Sequence, residues 1–303
     1  MGDRRDRYDP SADLETLLGG TARWLTSHLE LFDPFAGADR SSPKAALELA
    51  LLCRCWVRAR PGDARLDVAV RLLRGIWREP RFAELIAADP VRARLFGVLA
   101  AALAPPGAAS EPGAAAPATI TAAGLSAEQV AYLRLETRYF LDLARADGDR
   151  PPLAQTYADL YRATILARLT PGEPVTVPDR YLIAHAICYL SDFGFDVPPL
   201  IGDDLKRIDG VVSQLSADSL RDLDWDLAGM LLLAKFCLRH DAARTPLGES
   251  MLRALVRAQR ADGAIATSAG ASSAQAAYHP TLVAALASCV LSSAGPRAAA
   301  KPR

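Results

Sequence analysis

Apolar positions recur along most of this chain three and four residues apart, the spacing of helix faces, and almost nowhere in alternation. From Ser11, residues Leu14, Leu17, Leu18, Trp24, Leu25 and Leu29 form one such face, and Asp33-Pro34 marks a turn after Phe32. Ser42-Pro43 reads as an N-cap followed by a first-position proline. The run KAALELALLCRCWVRAR behind it is apolar on most faces and predicts a buried helix. Further helical patterns cover 64–77, 80–87, 90–103, 126–143, 151–169, 178–194, 200–215, 219–240, 246–260 and 280–293. A hint of alternation at 173–177 is too short to predict a strand.

About eleven helices follow, in an all-α fold. Nearly all-apolar helices alternate with amphipathic ones in pairs about 40 residues apart, as stacked or ring-closed helical hairpins would require. The expected architecture is an α/α-toroid or incomplete helical barrel with an inner and an outer ring. Residues 104–124, APPGAASEPGAAAPATITAAG, read as a flexible low-complexity linker between an N-terminal helical half, 11–103, and a C-terminal half, 125–293. Residues 1–10 and 294–303 read as disordered ends, and the Gly/Ser/Ala-rich stretch 261–277 as a mobile loop.

The stretch 178–194, PDRYLIAHAICYLSDFG, is unusual for its polar seam. Tyr181, His185, Cys188 and Asp192 share one side of the helix, Tyr189 borders it, and Leu182, Ile183, Ala186, Ile187 and Leu190 cover the other. A wet face would carry Lys, Arg, Glu or Gln. This seam carries groups that donate, accept and exchange protons, so it faces either satisfied neighbours in a core or the wall of a cavity.

Two more polar clusters stand at starts of apolar patterns. Asp222, Asp224, Trp225 and Asp226 precede the apolar run 227–238, and Tyr278, His279 and Thr281 surround Pro280, which is expected to begin the last helix. Acids in a first turn also serve as caps and dipole partners, and His279 also fits as a cap. If the apolar helices form a ring running in one direction, the three clusters meet at one mouth. There His185 or His279 would move protons, Asp226 or Asp192 would orient an imidazole, and Tyr181 and Tyr278 would donate to a developing oxyanion. Asp192, Asp222, Asp224, Trp225 and Thr281 complete the set as substrate contacts.

Composition narrows the surroundings. Lys+Arg and Asp+Glu both number 35 in 303 residues, so formal net charge is zero, which argues against nucleic acid or an acidic membrane as main partner. No apolar run reaches the roughly 20 residues of a membrane span, and the charged MGDRRDRYDP start has no h-region behind it. Five cysteines, mostly in apolar pattern, predict reduced buried thiols in a cytoplasmic protein. No dinucleotide fingerprint, Walker loop, zincin motif or nucleophile elbow is present. Cys53-Arg54-Cys55 has no second half, and no close pair joins His185, His279 and Cys237, so neither a metal nor a cofactor is expected.

Gln259-Arg260-Ala261-Asp262-Gly263, followed by Tyr278-His279-Pro280-Thr281-Leu282-Val283, resembles the repeat signature of α/α-toroid proteins such as terpenoid cyclases, prenyltransferase β-subunits and lanthipeptide cyclases. The chain departs from their acid and zinc motifs: Asp222-Leu223-Asp224-Trp225-Asp226 is not D-x-D-D, and Asp203-Asp204 continues as Leu-Lys-Arg. Tyr181 to His185, Tyr189 to Gly194, Asp224 to Leu227 and Tyr278 to Thr281 are similar to an uncharacterised bacterial helical family associated with natural-product gene clusters. That resemblance implies a helical fold and a tailoring context. The expected function is a metal-independent tailoring enzyme, a cyclase acting on a modified peptide or similar natural product, for example by thioether ring formation as in lanthipeptides. The alternative is a non-catalytic scaffold that presents a peptide to partner biosynthetic enzymes.

Overall fold

From Asp226 to Leu238 every side chain of one helix is buried, and the rest of the molecule is arranged around that helix and its neighbours. The computed structural model describes residues 8–36, 43–88, 93–108, 126–145, 155–200, 202–267 and 273–293. Among them lie twelve α-helices and no strand. In chain order they are α1 (Ser11–Ser27), α2 (Lys44–Ala59), α3 (Asp67–Arg78), α4 (Pro80–Ala87), α5 (Ala93–Ala102), α6 (Ala127–Arg145), α7 (Tyr157–Ala163), α8 (Val177–Leu190), α9 (Gly202–Asp222), α10 (Trp225–Leu238), α11 (Pro246–Ala258) and α12 (Ala274–Ser292).

The contacts close a ring. Helix α2 packs on α5, α5 on α6, α6 on α8, α8 on α10, α10 on α12, and α12 back on α2. Outside it, α1 covers α12, α3 covers α2, α4 covers α5, α7 covers α6, and α9 and α11 cover α10. The division follows side-chain chemistry. Helices α10 and α12 are apolar around nearly their whole circumference and bury almost all of it, whereas α3 and α11 carry charges on one side and stay half in water. Each fully buried Leu contributes about 1.5–3 kcal/mol. Residues 231–233, three consecutive leucines, are inaccessible to solvent. The one charged side chain deep in α10, Lys235, is paired with Asp209 at 3.0 Å and donates to Ser213 at 2.8 Å.

Capping and backbone geometry account for the element ends that position the site. Thr176 caps α8 by accepting from the Asp179 N–H, with Pro178 in the first turn. The helix stops at Leu190, earlier than the sequence pattern suggests, because Asp192, Phe193 and Gly194 adopt φ of 49°, 55° and 80°. Asp192 therefore sits in a turn beyond the helix. Leu223, with φ of 55°, separates α9 from α10, and Asp224 caps α10 through the Leu227 N–H at 3.1 Å. Residues 219–222, expected to open the central helix, end α9 instead.

Two further expectations change. The pattern over 151–169 is interrupted at Thr164, leaving α7 and a short 3₁₀ turn, and 151–154 lie outside the described residues. The last helix begins at Ala274, so Pro280 is inside it. Ser273 supplies the cap, through the Ala276 N–H. By length and composition α12 is the one helix among the described residues apolar enough to cross a bilayer. Here it is a core helix between α1, α2 and α10.

The readings of disordered ends and of a linker fall largely outside the described residues. What is described is held. Tyr8 donates to Asp13 at 2.6 Å, and Arg74 and Arg78 of α3 bond the carbonyls of Pro106 and Gly107 at 3.1 and 3.0 Å. Within the expected loop 261–277, Ala264 and Ile265 are fully buried.

Candidate functional site

The ring encloses a cavity of about 1030 Å³, lined by residues of α2, α5, α6, α8, α10 and α12. Lys44, Glu48, Tyr181, Asp226, Tyr278 and His279 come from the first two turns of α2, α8, α10 and α12, and α6 adds Gln129, Tyr132, Glu136 and Thr137. The far wall is apolar, with Phe96 and Leu99 from α5, Leu103 just after it, Met230 from α10, and Leu282 and Leu286 from α12.

One polar group is built on His279. Its Nδ1 lies 2.7 Å from Asp226 Oδ1, and Tyr181 donates to the other carboxylate oxygen at 3.2 Å. A carboxylate accepts and does not donate, so the Asp226 contact places a proton on His279 Nδ1. His279 Nε2 faces Glu48 Oε1 at 3.7 Å, and Glu48 in turn meets Lys44 at 3.4 Å. Glu48 Oε2 is buried with no hydrogen-bond partner. Burial alone would lower the His279 pKa; the hydrogen bond and charge of Asp226, with the charge of Glu48, outweigh it and raise the pKa above the ordinary 6.5. Burial, followed by the charges of Glu48 and Asp226, raises the Tyr278 phenol well above its usual value, so Tyr278 remains a neutral donor.

His185 is tuned the other way. Its Nδ1 lies 2.8 Å from the Tyr181 carbonyl, one turn back on α8. A carbonyl only accepts, so Nδ1 carries the hydrogen and Nε2 of the neutral ring is the bare nitrogen. Burial pushes its pKa down to about 4, more than the Tyr181 carbonyl pulls it up, and the nearby His279 lowers it further. One cavity thus holds an imidazole whose proton affinity is lowered and an imidazole whose proton affinity is raised.

A third group stands on α6 and α8. Glu136 Oε1 accepts from Tyr189 at 2.8 Å and from Tyr132 at 3.4 Å, while the two hydroxyls lie 3.3 Å apart. Burial raises the Glu136 pKa to about 7, against the downward pull of the two tyrosine hydrogen bonds and of Lys44. The rings of Tyr132 and His185 meet edge-on at 6.0 Å, so this group adjoins the histidine.

Five residues read from the sequence as proton-transfer groups, Tyr181, His185, Asp226, Tyr278 and His279, therefore line one cavity. The five read as substrate contacts lie outside its lining. Asp192 is buried beyond α8, where it accepts from Tyr139 at 2.7 Å and pairs with Arg58. Asp222 is exposed near Arg180, Asp224 is the α10 cap, and Trp225 packs beside it against the core. Thr281 is wholly buried on the opposite side of α12, where its hydroxyl accepts from the Ile265 N–H at 2.9 Å and donates to the Ile265 carbonyl at 3.2 Å. Asp192, Asp224 and Thr281 are thereby committed to holding the chain.

Glu48, Glu136, Tyr132 and Lys44 escaped the sequence reading. Glu48 and Lys44 lie in a helix whose pattern is apolar on most faces, which gives no reason to single them out. In the sequence Glu136 is an ordinary charged position on an amphipathic helix, with no signal that sets it apart. Among the described residues, no three His, Cys, Asp or Glu side chains converge to hold a metal ion.

A family model described as a domain of unknown function, DUF6895, matches residues 18–289, nearly the whole ring, and the chain belongs to that family. Neither the curated proteins nor the solved structures contain a match to it.

Proposed function

We propose that this member of the DUF6895 family is an acid–base catalyst that encloses its substrate in the cavity of the helical ring. The observation that carries the proposal is the opposed tuning of two histidines in one cavity: His185 neutral with a bare Nε2, His279 biased toward the imidazolium by Asp226. His185 takes a proton from the substrate, and His279 delivers one from Nε2. Asp226 fixes the orientation of His279, and Tyr181 holds Asp226. Tyr278 supplies a neutral hydroxyl to a developing oxyanion.

Paired proton removal and delivery is what a ring closure by addition demands. In thioether formation His185 would take the thiol proton, the sulfur would add to a dehydrated residue, and His279 would protonate the resulting enolate carbon. A cyclase tailoring a modified peptide or a similar natural product is the finer form of the proposal. It is supported by a mainly apolar cavity large enough for several residues of peptide. Ring closure of α2, α5, α6, α8, α10 and α12 supports the toroid reading, with consecutive α5 and α6 both inside. All five cysteines are free and buried, which supports a reducing, cytoplasmic setting. The rival scaffold, binding on an outer groove, calls for an interior filled by side chains; the cavity speaks for an interior site.

The proposal can be tested with the substrate still unidentified. Purified protein is incubated with small-molecule extract of its native host, and products are resolved by chromatography and mass spectrometry. Proton transfer without group transfer predicts a compound that changes retention at constant mass. His185→Gln and His279→Gln should each slow that conversion by about 10²–10⁴-fold. Conversion at the wild-type rate in both variants would sink the proposal.

A further inference from the structure

The Glu136 group has no part in the proton transfers above, yet it lies in the same cavity. Glu136 is only 8% exposed. Both tyrosine hydroxyls bond the same oxygen, Oε1, and no hydrogen bond among the described residues reaches Oε2. The two tyrosines that bond the carboxyl belong to a group of aromatic rings, with Phe140 and Phe193 beside Tyr189, and all four line the cavity. Tyr189 lies 5.7 Å from Phe140, 5.8 Å from Phe193 and 6.0 Å from Tyr132, centroid to centroid. A carboxylate with one free acceptor inside a cluster of π-faces is the chemistry that receives an organic cation.

The charge balance of the cavity points the same way. Its lining carries three carboxylates, Glu48, Glu136 and Asp226, against Lys44 and the proton-binding His279. Asp226 is engaged by His279, and Lys44 pairs with Glu48 at 3.4 Å. Among the described residues no cation pairs with Glu136 at contact distance, Lys44 acting on it only through its longer-range charge, and burying an unpaired charge is costly until a ligand brings a partner.

We propose that Glu136 and its ring of aromatic side chains bind a protonated primary or secondary amine on an otherwise apolar substrate. The ammonium donates one hydrogen to Glu136 Oε2 and rests on the rings of Tyr132 and Tyr189, while the apolar body runs along α5 and α12. This deepens the proposed function, since it rests on the cavity being the substrate site. The substrate thus approaches His185 and His279 with its amine held at the α6 wall. An N–H donor, rather than a quaternary ammonium, is selected because Oε2 needs a hydrogen to accept.

Octylamine, octanol and octyltrimethylammonium serve as probes, with binding followed by calorimetry on the full chain. Octylamine should bind about tenfold or more tightly than octanol, with octyltrimethylammonium between them. Glu136→Gln, nearly isosteric, should abolish the preference for amine over alcohol while leaving octanol affinity within a factor of about two. His279→Gln should keep the preference. Thermal melts establish that the Gln variant folds; losing a buried ionisable carboxyl should not lower its midpoint. A second variant, Tyr132→Leu, should weaken octylamine more than octanol. Equal binding of amine and alcohol by the wild type, or an unchanged preference in Glu136→Gln, overturns this inference and leaves the histidine proposal intact. Failure of all three probes to bind overturns the inference together with the view of the cavity as a binding site.

Discussion

His279 and Asp226, 53 residues apart in sequence and on neighbouring helices, are joined by a 2.7 Å contact from imidazole Nδ1 to carboxylate Oδ1. The contact determines which nitrogen of His279 faces the cavity and raises the affinity of that nitrogen for a proton against the opposing effect of burial. Asp226→Asn removes the charge at nearly constant volume. The His279 pKa should then fall, and the pH at which conversion loses its acid form should fall with it. The rate should drop by about 10²–10⁴-fold at neutral pH. A ¹H–¹⁵N titration of the imidazoles reads the first effect, and the pH profile of conversion reads the second. An unmoved His279 titration would show that Asp226 does not tune it.

His185 and Glu136 make opposite contributions to stability across the same pH window. In the unfolded chain His185 binds a proton below about 6.5, but folded it resists until about 4, so its contribution weakens stability as pH falls. Glu136 ionises near 4.5 when unfolded and near 7 when folded, so its contribution weakens stability as pH rises. Between pH 4.5 and 6.5 the two slopes oppose each other, each on the order of 1 kcal/mol per pH unit. His279, whose pKa is raised, contributes stability that is complete below about 6.5 and is lost above that window. Urea denaturation at several pH values should therefore show stability falling with pH in His185→Gln and rising with pH in Glu136→Gln. The wild type should be flatter than either. Equal slopes in the three proteins would contradict the opposed tuning.

How far the site could be read from sequence follows from the range of each signal. Helix periodicity is local, and it located all the inner helices except the first turns of α12 and the division between α9 and α10. At α12 a proline normally read as a start lies inside the helix, because Ser273 caps earlier and the core packing of Thr281 to Leu291 holds the remainder. The seam of Tyr181 and His185 was legible because a neutral polar face on an apolar helix has few other uses. Asp192 shared the pattern but not the place, since three residues with positive φ carry it past the end of α8. Glu136 could not be found from sequence. An isolated Glu on an amphipathic helix is ordinary at the surface, and only its packing against Tyr132 and Tyr189 makes it a buried carboxyl with a pKa near 7.

The Q-x-x-D-G stretch, legible as a motif, acts at a distance from the cavity through backbone geometry. Gln259 donates from Nε2 to the Leu17 carbonyl at 3.0 Å and to the Gly263 carbonyl at 3.3 Å, and Asp262 accepts the Ala264 N–H at 3.0 Å. Gly263, at φ of 98°, passes so close to α1 that an added Cβ would stand 2.0 Å from the Gly20 carbonyl oxygen. This clasp places Ile265 against Thr281, and Thr281 is two residues from His279. Gly263→Ala meets both a left-handed backbone and a backbone clash, and should destabilise by about 2–4 kcal/mol. The control is Gly19→Ala, also on α1, where nothing lies within 4 Å of the new Cβ; a mid-helix glycine replaced there should stabilise by about 0.5–1 kcal/mol. Chemical denaturation of the two variants reads opposite signs if α1 and the 259–265 turn are in the contact described. In Gly263→Ala the His279 imidazole resonance should also shift, because the α12 segment that carries it loses its anchor. Destabilisation without any change at His279 would mean that the clasp supports the fold and leaves the cavity to its other walls.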